Sequence, residues 1–129
     1  MNEKQLQICS YEQSRRLKAA GFDWKVMRMY DTGKLNEEPN YSSVLDNYNW
    51  RDYYISAPSV PLALKWFRKE KNIQNGVSYI ESLDMKRLYY YGEYQSIVFT
   101  NEETENFDTY EEAESELLTT LLTLIEQSK

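Results

Sequence analysis

The run Thr109-Tyr110-Glu111-Glu112 constrains this chain more than any other segment. A Thr three residues ahead of a Glu, at the start of an apolar repeat, is a capping box. The hydroxyl satisfies an orphan N–H of the first turn and the carboxylate reaches back to the cap. Tyr110, Ala113, Leu117, Leu121 and Leu124 then recur at helical spacing, flanked by Leu118, Leu122 and Ile125. The spacing predicts a helix over 110–127. Its apolar face is wider than the roughly 100° stripe that one packing contact uses. Core burial alone explains such a stripe. The alternative is that one side packs on a sheet while Leu118, Leu122 and Ile125 meet a partner or a second copy, two-fold dimers being the commonest oligomers.

Two more helices follow from local signals. Ser10 and Gln13 form a second capping box, and Gly21 supplies a C-terminal stop, so a helix is predicted over 10–20 with Phe22 folding back onto it. Pro58 and Pro61 are tolerable only in a first turn. Val60, Ala63, Leu64 and Phe67 make one stripe beyond them, widened by Leu62 and Trp66, with Lys65, Arg68, Lys69 and Lys71 on the other side. A helix over 58–71 is expected.

The rest reads as strands and turns. Residues 24–30, from Trp24 to Tyr30, alternate as a strand does, and Asp31-Thr32-Gly33 is turn chemistry. Residues 31–52 read as a long connection with room for a short helix at 42–48. Asn75-Gly76 marks a turn. Residues 77–83 place Val77, Tyr79 and Leu83 on one strand face, and Asp84-Met85-Lys86 can close a hairpin. Residues 87–99 carry Leu88, Tyr90, Tyr94 and Val98 on one face and Tyr89, Tyr91, Ile97 and Phe99 on the other, so a central strand is expected. Gly92 in its middle suggests a bulge or a tight turn. The expected fold is one α+β domain over residues 1–129: a small antiparallel sheet covered on one face by helices, with a long C-terminal helix. Nineteen aromatics among 129 residues (4 Phe, 3 Trp, 12 Tyr) argue for a folded chain.

Composition removes several function classes. There is no histidine and one cysteine. Ser-His-Asp and Cys-His catalysis, histidine metal sites and paired-cysteine motifs are therefore excluded. With four glycines and no GxGxxG or GxxxxGK pattern, a phosphate-cradling loop is not expected. Cys9 lies just before a helix start, where a thiol can be activated, but no histidine is present to act as its base. Glu37-Glu38, Glu102-Glu103 and Glu111-Glu112 read as solvated surface. The acids Asp31, Asp46 and Asp52 lack calcium-loop spacing. No catalytic residue, cofactor or metal is expected, and an enzyme is disfavoured.

Charge is unevenly placed. Net charge is −6, and residues 1–34 carry +3 while residues 100–129 carry −8. Overall acidity disfavours nucleic acid as a partner. That alternative would use the basic N-terminal third, Arg15, Arg16, Lys18, Lys25 and Arg28, with Tyr89 and Tyr91 as stacking platforms. No apolar stretch occupies the first twenty residues, so no signal peptide is expected. Residues 117–125 are interrupted by threonines and fall short of the ~20 residues a membrane span needs. A cytoplasmic protein without a membrane role is expected.

Three segments together resemble a known set of sequences. They are Gly21-Phe22-Asp23-Trp24-Lys25, then Ser56-Ala57-Pro58 running into Ala63-Leu64-Lys65-Trp66-Phe67-Arg68-Lys69, then Phe107-Asp108-Thr109-Tyr110-Glu111-Glu112-Ala113. The set is similar to small uncharacterised proteins encoded in bacteriophages, prophages and other bacterial mobile elements. The resemblance implies a setting and no activity. The expected function is a non-enzymatic binding or accessory protein acting through a protein surface or as a homodimer. Trp50, Tyr53 and Tyr54 are the anchor candidates, because aromatics are enriched at interface hot spots.

Overall fold

The two predicted capping sites set the first and last helices. In a computed structural model that describes residues 7–36, 45–96 and 101–128, the Ser10 hydroxyl accepts the Gln13 N–H (3.1 Å) and the Gln13 carboxamide accepts the Ser10 N–H (3.0 Å). Helix α1, Tyr11–Ala20, begins there and stops at Gly21, whose φ of 100° suits a residue without a Cβ. The Phe22 N–H then bonds back to the Leu17 carbonyl (3.0 Å) and the ring is buried. Helix α2, Val60–Glu70, is capped by Ser59 and carries Pro61 in its first turn. Helix α3, Tyr110–Gln127, starts at Thr109, whose hydroxyl accepts the Glu112 N–H (3.1 Å) and donates to the Glu112 carboxylate (2.9 Å).

The class is α+β, with two small antiparallel sheets where the sequence suggested one. The first contains β1 (Met29–Asp31), β2 (Lys34–Leu35) and β3 (Tyr54–Ser56) in the order β2-β1-β3. The second contains β4 (Gln74–Glu81), β5 (Leu88–Gln95) and β6 (Glu102–Glu103) in the order β4-β5-β6. β5 is central, as its two apolar faces predict.

Several local expectations are corrected. The strand expected over 24–30 pairs only from Met29 onward, while Val26 makes a single bridge to Asp46. Phe22 and Trp24 instead pack toward Trp66 of α2, which supplies the apolar alternation without a ladder. Thr32 and Gly33 both have positive φ, 52° and 85°, the two-residue turn that joins paired strands. The supposed long connection therefore begins with β2, and it ends at β3. Among the described residues of 42–48 no α-helix forms; a single 3-10 turn spans Tyr48–Trp50. Residues 42–44, the Glu37-Glu38 pair and residues 97–99 lie outside the described residues. Asn75-Gly76 is not a turn but part of β4. The chain reverses earlier, at Asn72 (φ 56°), and the Asn75 side chain ties Leu64, Ile73 and Arg68 together.

Gly92 is neither a bulge nor a turn. It lies in the regular β4–β5 ladder opposite Val77, and an added Cβ would stand 2.8 Å from Leu117 Cβ. The glycine lets α3 approach the sheet. Helix α3 also packs on α1, α2 and β4. That explains the width of its apolar face, and it corrects the partner reading of Leu118 and Leu122. Both are fully buried between elements of the chain, alongside Leu117 and Leu121, while Ile125 is half-buried against the same core. A polar seam runs beside this packing. Gln13 donates to Ser115 and Thr119, and Arg16 binds both carboxylate oxygens of Glu126. Among the described residues no helix is long and apolar enough to cross a membrane.

Candidate protein-interaction surface

The segment from Asn47 to Tyr53 has no strand pairing, and side chains hold its backbone and its junction with β3. Asn47 accepts the Asn49 N–H (3.0 Å) and so starts the 3-10 turn. Asn49 donates to the Phe22 carbonyl (2.9 Å) and accepts the Ser56 N–H (2.7 Å). The buried Ser56 hydroxyl accepts the Tyr48 N–H (3.0 Å). From the other side, the Lys18 ammonium donates to the carbonyls of Arg51 (2.7 Å) and Tyr54 (2.8 Å). Backbone groups that an irregular loop leaves unpaired thus find partners.

This frame presents two aromatics to solvent. Trp50 and Tyr53 are each 61% exposed. The Arg51 guanidinium lies over the Trp50 ring at 4.3 Å, a cation–π contact. Tyr53 stands edge-on to Tyr54 at 4.5 Å. Tyr54, the third anchor candidate, is half-buried and meets the buried Tyr48 ring edge-on at 6.2 Å, so it supports the ridge from beneath. Burial, then Asp46, pushes the Tyr48 phenol above its ordinary range, so it stays neutral there. The sequence showed the aromatics. It did not show Lys18, Asn49 or Ser56, whose roles depend on where distant backbone groups lie.

The basic third and the Tyr-rich strand do not come together. Arg15 pairs with Glu12, Arg16 with Glu126, and Lys18 is spent on the ridge carbonyls. Lys25 is exposed and Arg28 half-buried beyond α1. Tyr89 and Tyr91 occupy the face of β5 opposite Gly92, away from α3 and therefore from α1. Arg87 covers the Tyr89 ring at 5.0 Å. Partial burial, then Glu93 and Glu103, pushes the Tyr91 phenol up. Two carboxylates beside a stacking platform repel a phosphate backbone.

Other chemistry is sparse. Cys9 is fully buried, and burial pushes its thiol up, the opposite of an activated nucleophile. Among the described residues no group of three or more Asp, Glu or Cys side chains is placed to hold a metal. A cleft of about 330 Å³, lined mainly by polar groups such as Gln74, Ser78, Glu93 and Asn101, is at the low end of the usual ligand-pocket range of about 300–1,000 Å³, and a crevice of about 170 Å³ between α2, β4 and α3 is below it. The second apolar surface, missed in the sequence, is the β4–β5 hairpin, where Tyr79, Ile80, Leu83, Met85 and Leu88 are all exposed. Compared with known protein families, with curated proteins and with solved structures, the chain matches none.

Proposed function

We propose that this chain is a non-enzymatic, cytoplasmic binding or accessory protein of a phage or other mobile element, and that it grips a protein partner with Trp50 and Tyr53. One observation carries the surface: two large aromatics stand 61% exposed on a backbone already fixed by Lys18, Asn49 and Ser56. A group held still before binding loses little freedom on binding. Trp, Tyr and Arg, the three residue types most enriched in hot spots, are adjacent here. The mobile-element setting rests on the resemblance of the three sequence segments. The cytoplasmic setting rests on composition, a chain with one cysteine being at home in a reducing compartment.

The test uses the tagged chain and its Trp50→Ala/Tyr53→Ala variant as bait in host extract, with protein and nucleic acid both recovered. The expected result is a stoichiometric protein held by the wild type and lost from the variant, while circular dichroism is unchanged. A partner retained by the variant, or nucleic acid released by salt in place of protein, overturns the reading.

A further inference from the structure

A strand edge shows a row of N–H and C=O groups that template pairing with another chain. Folded proteins blunt such edges with brevity, charge or proline. Strand β6 obeys, with two residues that are both glutamate, and β2 is two residues long with one lysine. Strand β4 does not. It has eight residues and no charge from Gln74 to Ile80, and among the described residues β5 is its one neighbouring strand. Ser82 donates to the Arg87 carbonyl (2.9 Å), and Tyr90 exchanges both bonds with Phe107 on the far side of β5 (2.8 and 2.7 Å). The alternation this sets turns the N–H and C=O of Val77, Tyr79 and Glu81 outward from β4.

We propose that this edge binds a second copy of the chain. The two β4 strands pair antiparallel about a two-fold axis at Tyr79, joining two three-stranded sheets into one of six strands. Self-compatibility carries the choice of occupant. With the axis at Tyr79, Glu81 stands opposite Val77 of the second copy, so the strand's only charge never meets its own image. Tyr79 meets Tyr79 on one face, and Ile80 meets Ser78 on the other. The same register carries Leu83, fully exposed at the hairpin tip, to Asn75 of the second copy. Asn75 borders the crevice of about 170 Å³, whose apolar lining is Pro61, Leu64 and Val77. An unburied leucine is thus brought beside this crevice, whose lining also holds Arg68, Tyr110 and Glu114, twice by one symmetry operation. Tyr79 and Ile80 at the seam and Leu83 opposite Asn75 contribute apolar area toward the about 800 Å² that each partner of a standard interface buries.

The experiment is mass by light scattering across a concentration series, with three variants. The wild type is expected to double its mass as concentration rises. Tyr79→Lys, at a side chain 63% exposed, places two ammonium groups at the axis and is expected to give the single-copy mass with unchanged circular dichroism. Tyr79→Cys is expected to form a disulfide-linked dimer on mild oxidation, because directly opposed residues at a bonded position lie about 5.5 Å apart, within disulfide reach. Ile80→Cys is expected not to, since Ser78 faces it. The buried Cys9 contributes no background. A single-copy mass at every concentration overturns the proposal, as does a dimer that survives Tyr79→Lys, equal cross-linking by Ile80→Cys, or a β4 edge that takes a strand of a different protein only. The Trp50→Ala/Tyr53→Ala variant is expected to dimerise like the wild type, so this inference and the ridge reading fail separately.

Discussion

The molecule exposes apolar side chains in two places and supports them by different means. The ridge at Trp50 and Tyr53 sits on irregular backbone, and the polar side chains of Lys18, Asn49 and Ser56 hold it. The hairpin at Tyr79–Leu88 sits on a regular ladder, and backbone bonds hold it. The difference decides what each can offer. The ridge commits backbone groups of Tyr48, Arg51, Tyr54 and Ser56 to partners within the chain and turns the Trp50 and Tyr53 rings outward. The hairpin leaves a row of N–H and C=O groups beside its apolar side chains. A ridge of the first kind suits a partner's pockets, and an edge of the second kind suits a partner's strand.

Both surfaces depend on α3, which packs on α1 beneath the ridge and on β5 beneath the hairpin. Leu121→Asp therefore has the largest expected effect. It places an unpaired charge where Leu121 has no solvent exposure, and the whole chain is expected to unfold, with loss of the near-ultraviolet aromatic signal. Retention of native amide protection in either region alone would break the comparison, because that region would then fold without α3.

Asn49→Ala addresses the ridge by itself. It strips partners from the Phe22 carbonyl and the Ser56 N–H, and each orphaned group costs about 1–3 kcal/mol. A lowered denaturation midpoint is expected, with hydrogen exchange rising at residues 48–56 and unchanged in β4 and β5. Gly92→Ala addresses the hairpin. The added methyl meets Leu117 at 2.8 Å, and overpacking of this kind costs about 1–3 kcal/mol. Exchange is expected to rise in β4 and β5 and not at the ridge. A swap of these two exchange patterns would show that the regions are mechanically one.

What the sequence revealed follows the range of the interactions. Ser10 with Gln13 and Thr109 with Glu112 act over three residues, and Pro61 acts within its own first turn, so the helix starts were legible. The first sheet was not. Its strands are two or three residues long, and Tyr30 pairs with Ile55 across 25 positions. Asn75-Gly76 misled because its turn chemistry is local, whereas Asn75 serves Leu64 eleven residues away. Gly92 was conspicuous, but its cause, Leu117, lies on another element. At the ridge the rings were legible and the Lys18 clamp was not. At the hairpin the apolar faces were legible, but nothing local told a covered face from an open one.

Acidity should separate the two regions by the smallest margin. Glu114 is 7% exposed and lines the crevice at the root of the hairpin, with Arg68 and Tyr110. Burial first, and Glu111 second, raise its carboxyl above the ordinary range. The unfolded chain therefore releases this proton at lower pH than the folded one does. Above the unfolded value, about 4.3, the buried charge works against folding, and below it that cost is absent. The Arg68 guanidinium, which lines the same crevice, donates to Asn75 (2.9 Å). Glu114→Gln is expected to raise the melting temperature at pH 7, and the gain is expected to fade as the pH falls toward 4. The Asn49→Ala loss rests on an amide and backbone groups that do not titrate, so it is expected to be the same at both pH values. A Glu114→Gln gain that persists at pH 4 would mean the carboxylate costs stability by its shape and not by its charge, and would remove pH as a way to tell the hairpin's root from the ridge.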